Sequence, residues 1–280
     1  MTTNDFSAAS TPPPLPPLLL HTQDPRGIHR LQLNRPAGFN TLSQAMIDAL
    51  QAALDAIALD ENARAVVIAA EGKAFCAGHN LKEMQALTGL EDYQKLFADC
   101  SRMMLAIQSL PVPVLARVQG LATAAGCQLV AQCDLAVASN AATFGVNGID
   151  IGLFCATPSV PLVRNMPSKQ AFEMLVTGAF ISADEALARG LVNRAVAPEQ
   201  LDAEIENMVA AIVQKPRVAI AMGKALFYRQ RETGMAAAYQ LAGQSMACNL
   251  ADPAAQEGMR AFVEKRPPQW LTGGIPKTSV

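Results

Sequence analysis

The order of apolar runs along this 280-residue chain predicts an α/β fold. Short β-branched runs alternate with amphipathic helical segments in units of about 40 residues, a pattern that favours buried strands layered with helices. From about residue 168 onward the periodicity is helical almost throughout. We therefore expect a core over 16–195, a C-terminal helical region over 196–270, a disordered tail over 1–15 and a second tail over 271–280.

The first elements predicted are a hairpin, a helix and a buried strand. Two apolar runs flank "DPRG" at 24–27, where an early Pro and a Gly are typical of a turn. Apolar residues spaced by three or four then predict an amphipathic helix in "TLSQAMIDALQAALDAIALDENA", with Thr41 or Ser43 as its N-cap. The run "ARAVVIAAEG" predicts a short buried strand.

The middle of the chain continues this alternation. "AFCAGHNLKEM" predicts a glycine-bearing turn into a helix, and 92–109 a further helix. "PVPVLARVQG" predicts a strand, "AAGCQLVAQCD" a buried helix, and "LAVASNAATFGV" a strand, a turn and a short strand. Helices fill the rest, and the last long one, over about 234–265, is predicted to end at the prolines of "KRPPQW".

Composition narrows the class of protein. The formal net charge of -2 and the few aromatic residues argue against a nucleic-acid-binding surface. Six cysteines without a CxxC pair are typical of buried reduced thiols, and three widely spaced histidines offer little for a metal site. The N-terminus lacks the features of a secretory signal, and no run is long enough to span a membrane. We expect a cytoplasmic protein with no nucleic-acid or membrane partner and no metal.

Five segments, in order, resemble the crotonase (enoyl-CoA hydratase/isomerase) superfamily. They are "NRPAGFNTLS", "KAFCAGHNLKEM", "PVPVLARVQGLATAAGCQLVAQCDLAVAS", "ISADEALARGLVNRAV" and "QEGMRAFVEKRPPQW". The resemblance covers about residues 18–270 and implies a spiral of ββα units with a C-terminal helical trimerisation region. It also implies a homotrimer or a dimer of trimers. The ligand it implies is an acyl-CoA thioester, bound as a substrate of lyase or isomerase chemistry in fatty acid metabolism, with no resident cofactor.

The same resemblance implies an oxyanion hole, a pair of N–H donors for the oxygen of a thioester enolate. Its donors would be the backbone N–H of His79, which follows Ala77 and Gly78, and that of Ala125, which precedes Gly126. Small residues let the backbone approach a ligand, and a helix N-terminus adds a partial positive charge. The alternative is that "AAG" only permits tight packing of a core helix.

Other residues match family positions that hold the rest of the ligand. Asn80 belongs to the same loop as His79, and Lys82 matches a residue that holds coenzyme A phosphates. Phe262 and Lys265 match residues that reach an adenine or a phosphate, often on a neighbouring subunit. Each also has a structural interpretation, as a solvated lysine or a packed phenylalanine.

The paired acids of the family's hydratases are missing. Those hydratases use two glutamates to move protons between water and carbon, and the matching positions hold Gln128 and Gly148. An amide does not exchange protons near neutral pH. Gln128 could instead orient a water or a polar substrate group, or satisfy local backbone.

Two other residues could supply the missing chemistry. If the segment around 148 is extended, Asp150 faces the same side as position 148 and could act as a single base. The imidazole of His79 could serve a decarboxylase, because "AGH" resembles the acyl-CoA decarboxylase branch. Structural roles remain open for both side chains. The sequence thus leaves three hypotheses: an atypical enzyme of the hydratase/isomerase type, a decarboxylase, and a non-catalytic acyl-CoA-binding protein.

Overall fold

The computed structural model describes residues 16–272. The disordered tail expected over 1–15 lies outside the described residues, as does 273–280 of the second expected tail. The first residues of that second tail belong to a short helix, Gln269–Thr272.

Ten strands form two sheets in the described part of the chain. They are β1 (Leu19–Gln23), β2 (Ile28–Leu33), β3 (Ala65–Ala70), β4 (Ala74–Cys76), β5 (Val114–Val118), β6 (Leu121–Thr123), β7 (Leu135–Ser139), β8 (Thr143–Gly145), β9 (Ile181–Ser182) and β10 (Arg194–Val196). The larger sheet has the order β1-β2-β3-β5-β7-β10, and the smaller has β4-β6-β8-β9. The predicted β1–β2 hairpin is antiparallel, and every other pairing in the larger sheet is parallel.

Helices surround these sheets. They are α1 (Gln44–Ala58), α2 (Leu81–Ala86), α3 (Leu90–Ser109), α4 (Ala125–Gln132), α5 (Ala156–Asn165), α6 (Ser168–Thr177), α7 (Ala183–Ala188), α8 (Leu201–Val213), α9 (Arg217–Gln230), α10 (Met235–Ala251), α11 (Pro253–Val263) and α12 (Gln269–Thr272). The predicted α/β class is confirmed. Of the two residues predicted as possible N-caps of α1, Ser43 is the N-cap, since its Oγ accepts from the N–H of Met46 at 3.1 Å. Over 16–272 no helix combines the length and apolar character that crossing a membrane requires.

The central sheet is covered on both faces, and β3 shows why. Val66 and Ile68 point into the cluster that contains α1 and α3, whereas Ala65 and Val67 pack against α8. Successive side chains of a strand point to opposite faces, so a strand buried on both sides reads as an unbroken apolar run. This is the pattern from which the strand was predicted.

The single long helix predicted over about 234–265 is wrong, because two helices occupy that stretch. They separate at Asp252 and Pro253, where Asp252 has extended backbone and its side chain accepts from the N–H of Ala254 at 2.8 Å. Proline cannot continue a helix but suits the first position of the next one. The sequence "ADPAA" therefore contains the signal for this helix break.

A buried polar cluster attaches α9 to the core. The ammonium of Lys224 donates to Asp134 Oδ2 at 2.7 Å and to the carbonyls of Ile107 and Val112, both at 2.9 Å. The hydroxyl of Tyr228 donates to Asp134 Oδ1 at 2.7 Å. Apart from this cluster the attachment is light, since neither α9 nor α10 has a fully buried residue.

Candidate active site

A mostly apolar cavity of about 310 Å³ lies where the two sheets and their loops meet. Its wall consists of the loop after β4, the start of α4, residues of 147–158, and Phe97 from α3. Pockets of this size are typical of small-ligand sites. No residue of the described wall carries a carboxylate, and His79 is its one imidazole.

The loop after β4 presents the first of the two predicted N–H donors. Gly78 has a φ of +85°, a conformation that side chains disfavour. Its carbonyl accepts from the N–H of Leu42 at 2.8 Å, and the carbonyl of Leu42 accepts from the N–H of Asn80 at 3.3 Å. His79 lies between the residues that make these two bonds, and its backbone N–H donates to no described residue. The loop is thus held rigidly on both sides of an unused donor.

The start of α4 presents the second donor. Ala124 has φ 50° and ψ -120°, and its N–H donates to the carbonyl of Gly145 at 2.9 Å. The next N–H, that of Ala125, opens the helix and has no acceptor within the described chain. A non-glycine residue in such a conformation costs about 1–3 kcal/mol, and such strain concentrates at functional sites.

The two donor segments touch each other. A Cβ built on Gly78 would lie 2.9 Å from Ala124 Cβ and 3.3 Å from the nitrogen of Ala125. A Cβ on Gly126 would lie 2.0 Å from the carbonyl oxygen of Cys76. Glycine at both positions therefore allows the two backbone N–H groups to lie beside one cavity.

His79 places a neutral ring in this wall. Burial lowers the pKa of the imidazole, which the backbone of Leu42 opposes more weakly, and neither ring nitrogen makes a hydrogen bond of ordinary geometry within the described chain. The ring packs edge-on against Phe97, with 5.7 Å between centroids. A neutral imidazole offers one N–H donor and one acceptor to a ligand.

Gln128 is buried one helical turn beyond Ala124, but it does not belong to the described wall. Its backbone N–H donates to the carbonyl of Ala124 at 3.0 Å, and its side-chain Oε1 is buried without a partner. The role predicted for this amide stays a prediction.

Position 148, where the second hydratase glutamate would stand, is closed. A Cβ on Gly148 would lie 2.4 Å from the carbonyl oxygen of Leu153 and 2.8 Å from Cys155 Sγ. The thiol also accepts from the N–H of Gly148 at 3.3 Å. Burial raises the pKa of Cys155, which keeps the thiol protonated. No side chain can enter here unless the loop moves.

The extended conformation assumed for the segment around Asp150 is wrong. Residues Asn147–Ile151 form a 3₁₀ turn, in which side chains two positions apart do not share a face. The Asp150 carboxylate is exposed and lies against Gly178, where a Cβ would be 2.7 Å from Oδ1. The structure therefore does not bring Asp150 to the cavity.

The remaining predicted residues lie outside the wall described above. Asn80 caps α2, because its Oδ1 accepts from the N–H of Lys82 at 3.1 Å, and the Lys82 side chain is exposed. Phe262 is 85% exposed near the end of α11, and Lys265 follows it in a left-handed conformation with φ 54°. Neither Phe262 nor Lys265 lines the cavity of its own chain.

Sequence reasoning missed Thr123 and Asn147. Both line the cavity, and the Thr123 hydroxyl donates to Asn147 Oδ1 at 2.6 Å. The one available signal was their position, next to Ala124 and to Gly148. Within 16–272 no group of three His, Cys, Asp or Glu side chains is arranged to hold a metal ion.

Comparisons with known proteins agree with the resemblance. A family model described as enoyl-CoA hydratase/isomerase matches residues 23–273. The chain is 46% identical over 248 residues to the Xenopus laevis enoyl-CoA hydratase domain-containing protein 3, covering 89% of this chain and 84% of that protein. The segments "AAGCQL" and "GLFC" predict similarity to proteins of this type, and the match confirms it.

Solved structures share the fold. An enoyl-CoA hydratase from Mycobacterium smegmatis is 63% identical with a TM-score of 0.91, covering 91% of this chain and 100% of that one. The human enoyl-CoA hydratase domain-containing protein 3 is 43% identical with a TM-score of 0.87, covering 90% and 99%. The predicted crotonase-like architecture is thereby confirmed.

The expected cytoplasmic location is contradicted, because the Xenopus laevis, Mus musculus, Rattus norvegicus and Homo sapiens relatives are all named mitochondrial. That expectation rested on the lack of a secretory signal and of a membrane-spanning run. Import into mitochondria depends on neither of these features.

Proposed function

Because the chain belongs to the enoyl-CoA hydratase/isomerase family, we propose that it binds an acyl-CoA thioester and stabilises the enolate of that thioester. The observation that carries the proposal is the pair of unused backbone N–H groups, of His79 and Ala125, beside one cavity. When the α-carbon of a thioester becomes an enolate carbon, the carbonyl oxygen gains negative charge. Two fixed donors at that oxygen stabilise the enolate more than the starting ester.

The proposed chemistry proceeds without a pair of protein carboxylates. Position 128 is an amide, position 148 is closed, and Asp150 lies elsewhere. The chain therefore lacks the two glutamates that ordinary hydration requires. We therefore place the protein among the lyase and isomerase activities of the family that depend chiefly on enolate stabilisation.

Decarboxylation is the second candidate, and the uncharged cavity wall favours it. A substrate carboxylate would meet no like charge there, and the neutral imidazole of His79 could donate one hydrogen bond to it. Cleavage of the bond between the α-carbon and the carboxyl carbon releases CO₂ and leaves the electron pair in the enolate. The α-carbon then takes a proton from water.

The coenzyme A portion would extend out of the cavity. Lys82 is exposed beside the donor loop and could meet a phosphate. Phe262 and Lys265 are exposed on α11 and just beyond it, and we propose that they reach the adenine end of a ligand held by a neighbouring subunit. This arrangement is part of the proposed homotrimer, which could pair further into a dimer of trimers.

The test measures binding and turnover in one variant series. Butyryl-CoA binding is followed by calorimetry, crotonyl-CoA hydration by loss of enoyl-thioester absorbance, and CO₂ release is measured with malonyl-CoA. Gly78→Ala displaces the donor pair, because its Cβ would lie 2.9 Å from Ala124 Cβ and 3.3 Å from the nitrogen of Ala125, and we expect turnover to fall about 10²–10³-fold. Gly152→Ala is the matched control, since Gly152 has a similar φ of +78° but its new Cβ would meet no other atom within 4 Å, and it should leave turnover unchanged.

The outcomes separate the candidates. CO₂ release without hydration would identify the decarboxylase. Tight butyryl-CoA binding with no turnover on enoyl, dienoyl or malonyl-type substrates would identify a non-catalytic binding protein. Wild-type protein that binds no CoA ester would refute the proposal.

A further inference from the structure

The hydrogen bond between Thr123 and Asn147 sets the orientation of an amide beside the donor pair. Thr123 ends β6 and is 8% exposed, and its hydroxyl donates to Asn147 Oδ1 at 2.6 Å. Asn147 lies two residues after Gly145, whose carbonyl accepts from the N–H of Ala124. The amide therefore belongs to the immediate surroundings of the Ala125 donor.

This bond leaves the amide nitrogen of Asn147 available. Because Oδ1 receives the hydroxyl, Nδ2 is on the opposite side of the amide, and it donates to no described residue. Asn147 is half-buried and lines the cavity together with Thr123. An amide fixed through its oxygen keeps its two N–H bonds free for a ligand in the cavity.

The described wall around this amide has no charged acceptor. No carboxylate lines the described wall, and the ring nitrogens of His79 make no hydrogen bond of ordinary geometry to Asn147. Position 148 contributes no side chain. A half-buried donor at the cavity wall can hydrogen-bond to a ligand that brings an acceptor oxygen of its own.

We propose that Asn147, held in position by Thr123, binds an acceptor oxygen on the β-carbon of the acyl group. The ligand class this selects is a malonyl-type or 3-oxoacyl thioester, in which a carboxylate or a ketone follows the thioester by one carbon. The inference rests on the proposed function, because the thioester carbonyl must occupy the donors of His79 and Ala125. Asn147 acts here as a specificity-determining residue.

The test compares three CoA esters on the full chain by calorimetry. Malonyl-CoA carries a β-carboxylate, acetoacetyl-CoA a β-ketone, and butyryl-CoA no second oxygen. We expect Asn147→Ala to weaken the binding of malonyl-CoA, of acetoacetyl-CoA or of both by about tenfold, since a hydrogen bond to a ligand oxygen is lost. Butyryl-CoA affinity should change by less than about twofold because it makes no such bond.

Variants at Thr123 test the orienting bond separately. Thr123→Val removes the hydroxyl at nearly constant shape and should reproduce part of the selective loss, whereas Thr123→Ser should bind all three esters like the wild type. Thermal melting identifies any variant that fails to fold. An equal loss for all three esters, or no loss with either β-oxygen ester, would overturn the proposal. Failure of the wild type to bind butyryl-CoA would instead refute the proposed function.

Discussion

Gly148 limits the chemistry of the cavity by having no side chain. The carbonyl of Leu153 and the thiol of Cys155 occupy the space into which a Cβ would project. Overpacking of this kind typically costs about 1–3 kcal/mol or more. A carboxylate at 148 would therefore have to displace the loop before it could take part in proton transfer.

We expect that restoring both family glutamates does not restore hydration. Gln128→Glu with Gly148→Glu should leave crotonyl-CoA hydration at the wild-type level, and Gly148→Glu should lower the free energy of unfolding by at least about 2 kcal/mol. Chemical denaturation and the enoyl-thioester absorbance assay measure the two effects. Gly38→Ala is the matched control, because its new Cβ would make only one ordinary contact, 3.9 Å from Thr41. A stable, active double variant would contradict the interpretation.

The titration of His79 gives a second prediction at this scale. Burial lowers its pKa below the ordinary value of 6.5, so the unfolded chain takes up this proton at a higher pH than the folded protein. The stability that depends on the neutral ring is present above pH 6.5 and is lost as the pH falls below it.

We expect wild-type protein to lose more unfolding free energy than His79→Gln between about pH 7.5 and pH 5.5, with a slope difference of at most about 1.4 kcal/mol per pH unit. Denaturant titrations at several pH values measure this difference. His21 and His29 remain in both proteins, so their titration cancels in the comparison. Parallel pH profiles would show that His79 is protonated equally in the folded and unfolded states.

At the scale of elements, the buried cluster around Asp134 joins α9 to the core. Removing one partner of a buried pair typically costs about 3–5 kcal/mol, because it strands the other charge. Burial already lowers the pKa of Lys224, while Asp134 opposes the shift. The ammonium also satisfies two backbone carbonyls, which no apolar replacement could do.

We therefore expect Lys224→Met to lower the free energy of unfolding by about 3 kcal/mol. Lys215→Met, at an exposed lysine just before α9, should change it by less than about 0.5 kcal/mol. Chemical denaturation measures both variants. Limited proteolysis locates the effect, since cleavage should begin in α9 and α10; uniform cleavage along the chain would contradict this.

The helices, strands and turns also show which parts of the fold a local sequence pattern can predict. The hairpin, α1 and β3 were predictable because periodicity and caps act locally, within a few residues. The α10–α11 break was equally local, at "DP", but the helical periodicity on either side hid it. The 3₁₀ turn at Asn147–Ile151 was not predictable in this way, because it packs back on the following residues Leu153 and Cys155 and against the distant Gly178.

The residues of the candidate site fall into the same two groups, those that a local sequence pattern predicts and those that depend on tertiary packing. His79 and Ala125 could be identified from glycine-bearing motifs, since a backbone donor needs only the right turn. Asp150 and Asn147 could not be assigned, since the direction of a side chain depends on how the segment packs. Gln128 is singled out by the absence of an acid, and its helix is predicted as buried, but its place outside the cavity wall emerged only from the packing of α4.

At the scale of the whole molecule, five of the seven large apolar side chains that are more than 70% exposed in the described chain lie on α10 and α11. Tyr239 and Met246 are each 73% exposed on α10, and Phe262 is 85% exposed on α11. Apolar surface rimmed by polar residues commonly marks an interface between proteins. This distribution supports the proposed trimer.

We expect light scattering coupled to size exclusion to give a mass of three or six chains for the wild type. Met246→Asp should shift the mass toward the monomer, because it places a charge in the proposed interface. Leu59→Asp is the control, since Leu59 is 85% exposed outside the C-terminal region. A monomeric wild type would contradict the proposed assembly.

The closed position 148 has a consequence for how such proteins diverge. A lineage with this glycine cannot gain a working glutamate there by changing a single codon, because the carbonyl of Leu153 and the thiol of Cys155 occupy the space that the side chain would need. Directed evolution toward water addition would have to start by rebuilding that stretch, and libraries restricted to positions 128 and 148 would return only inactive or unfolded clones.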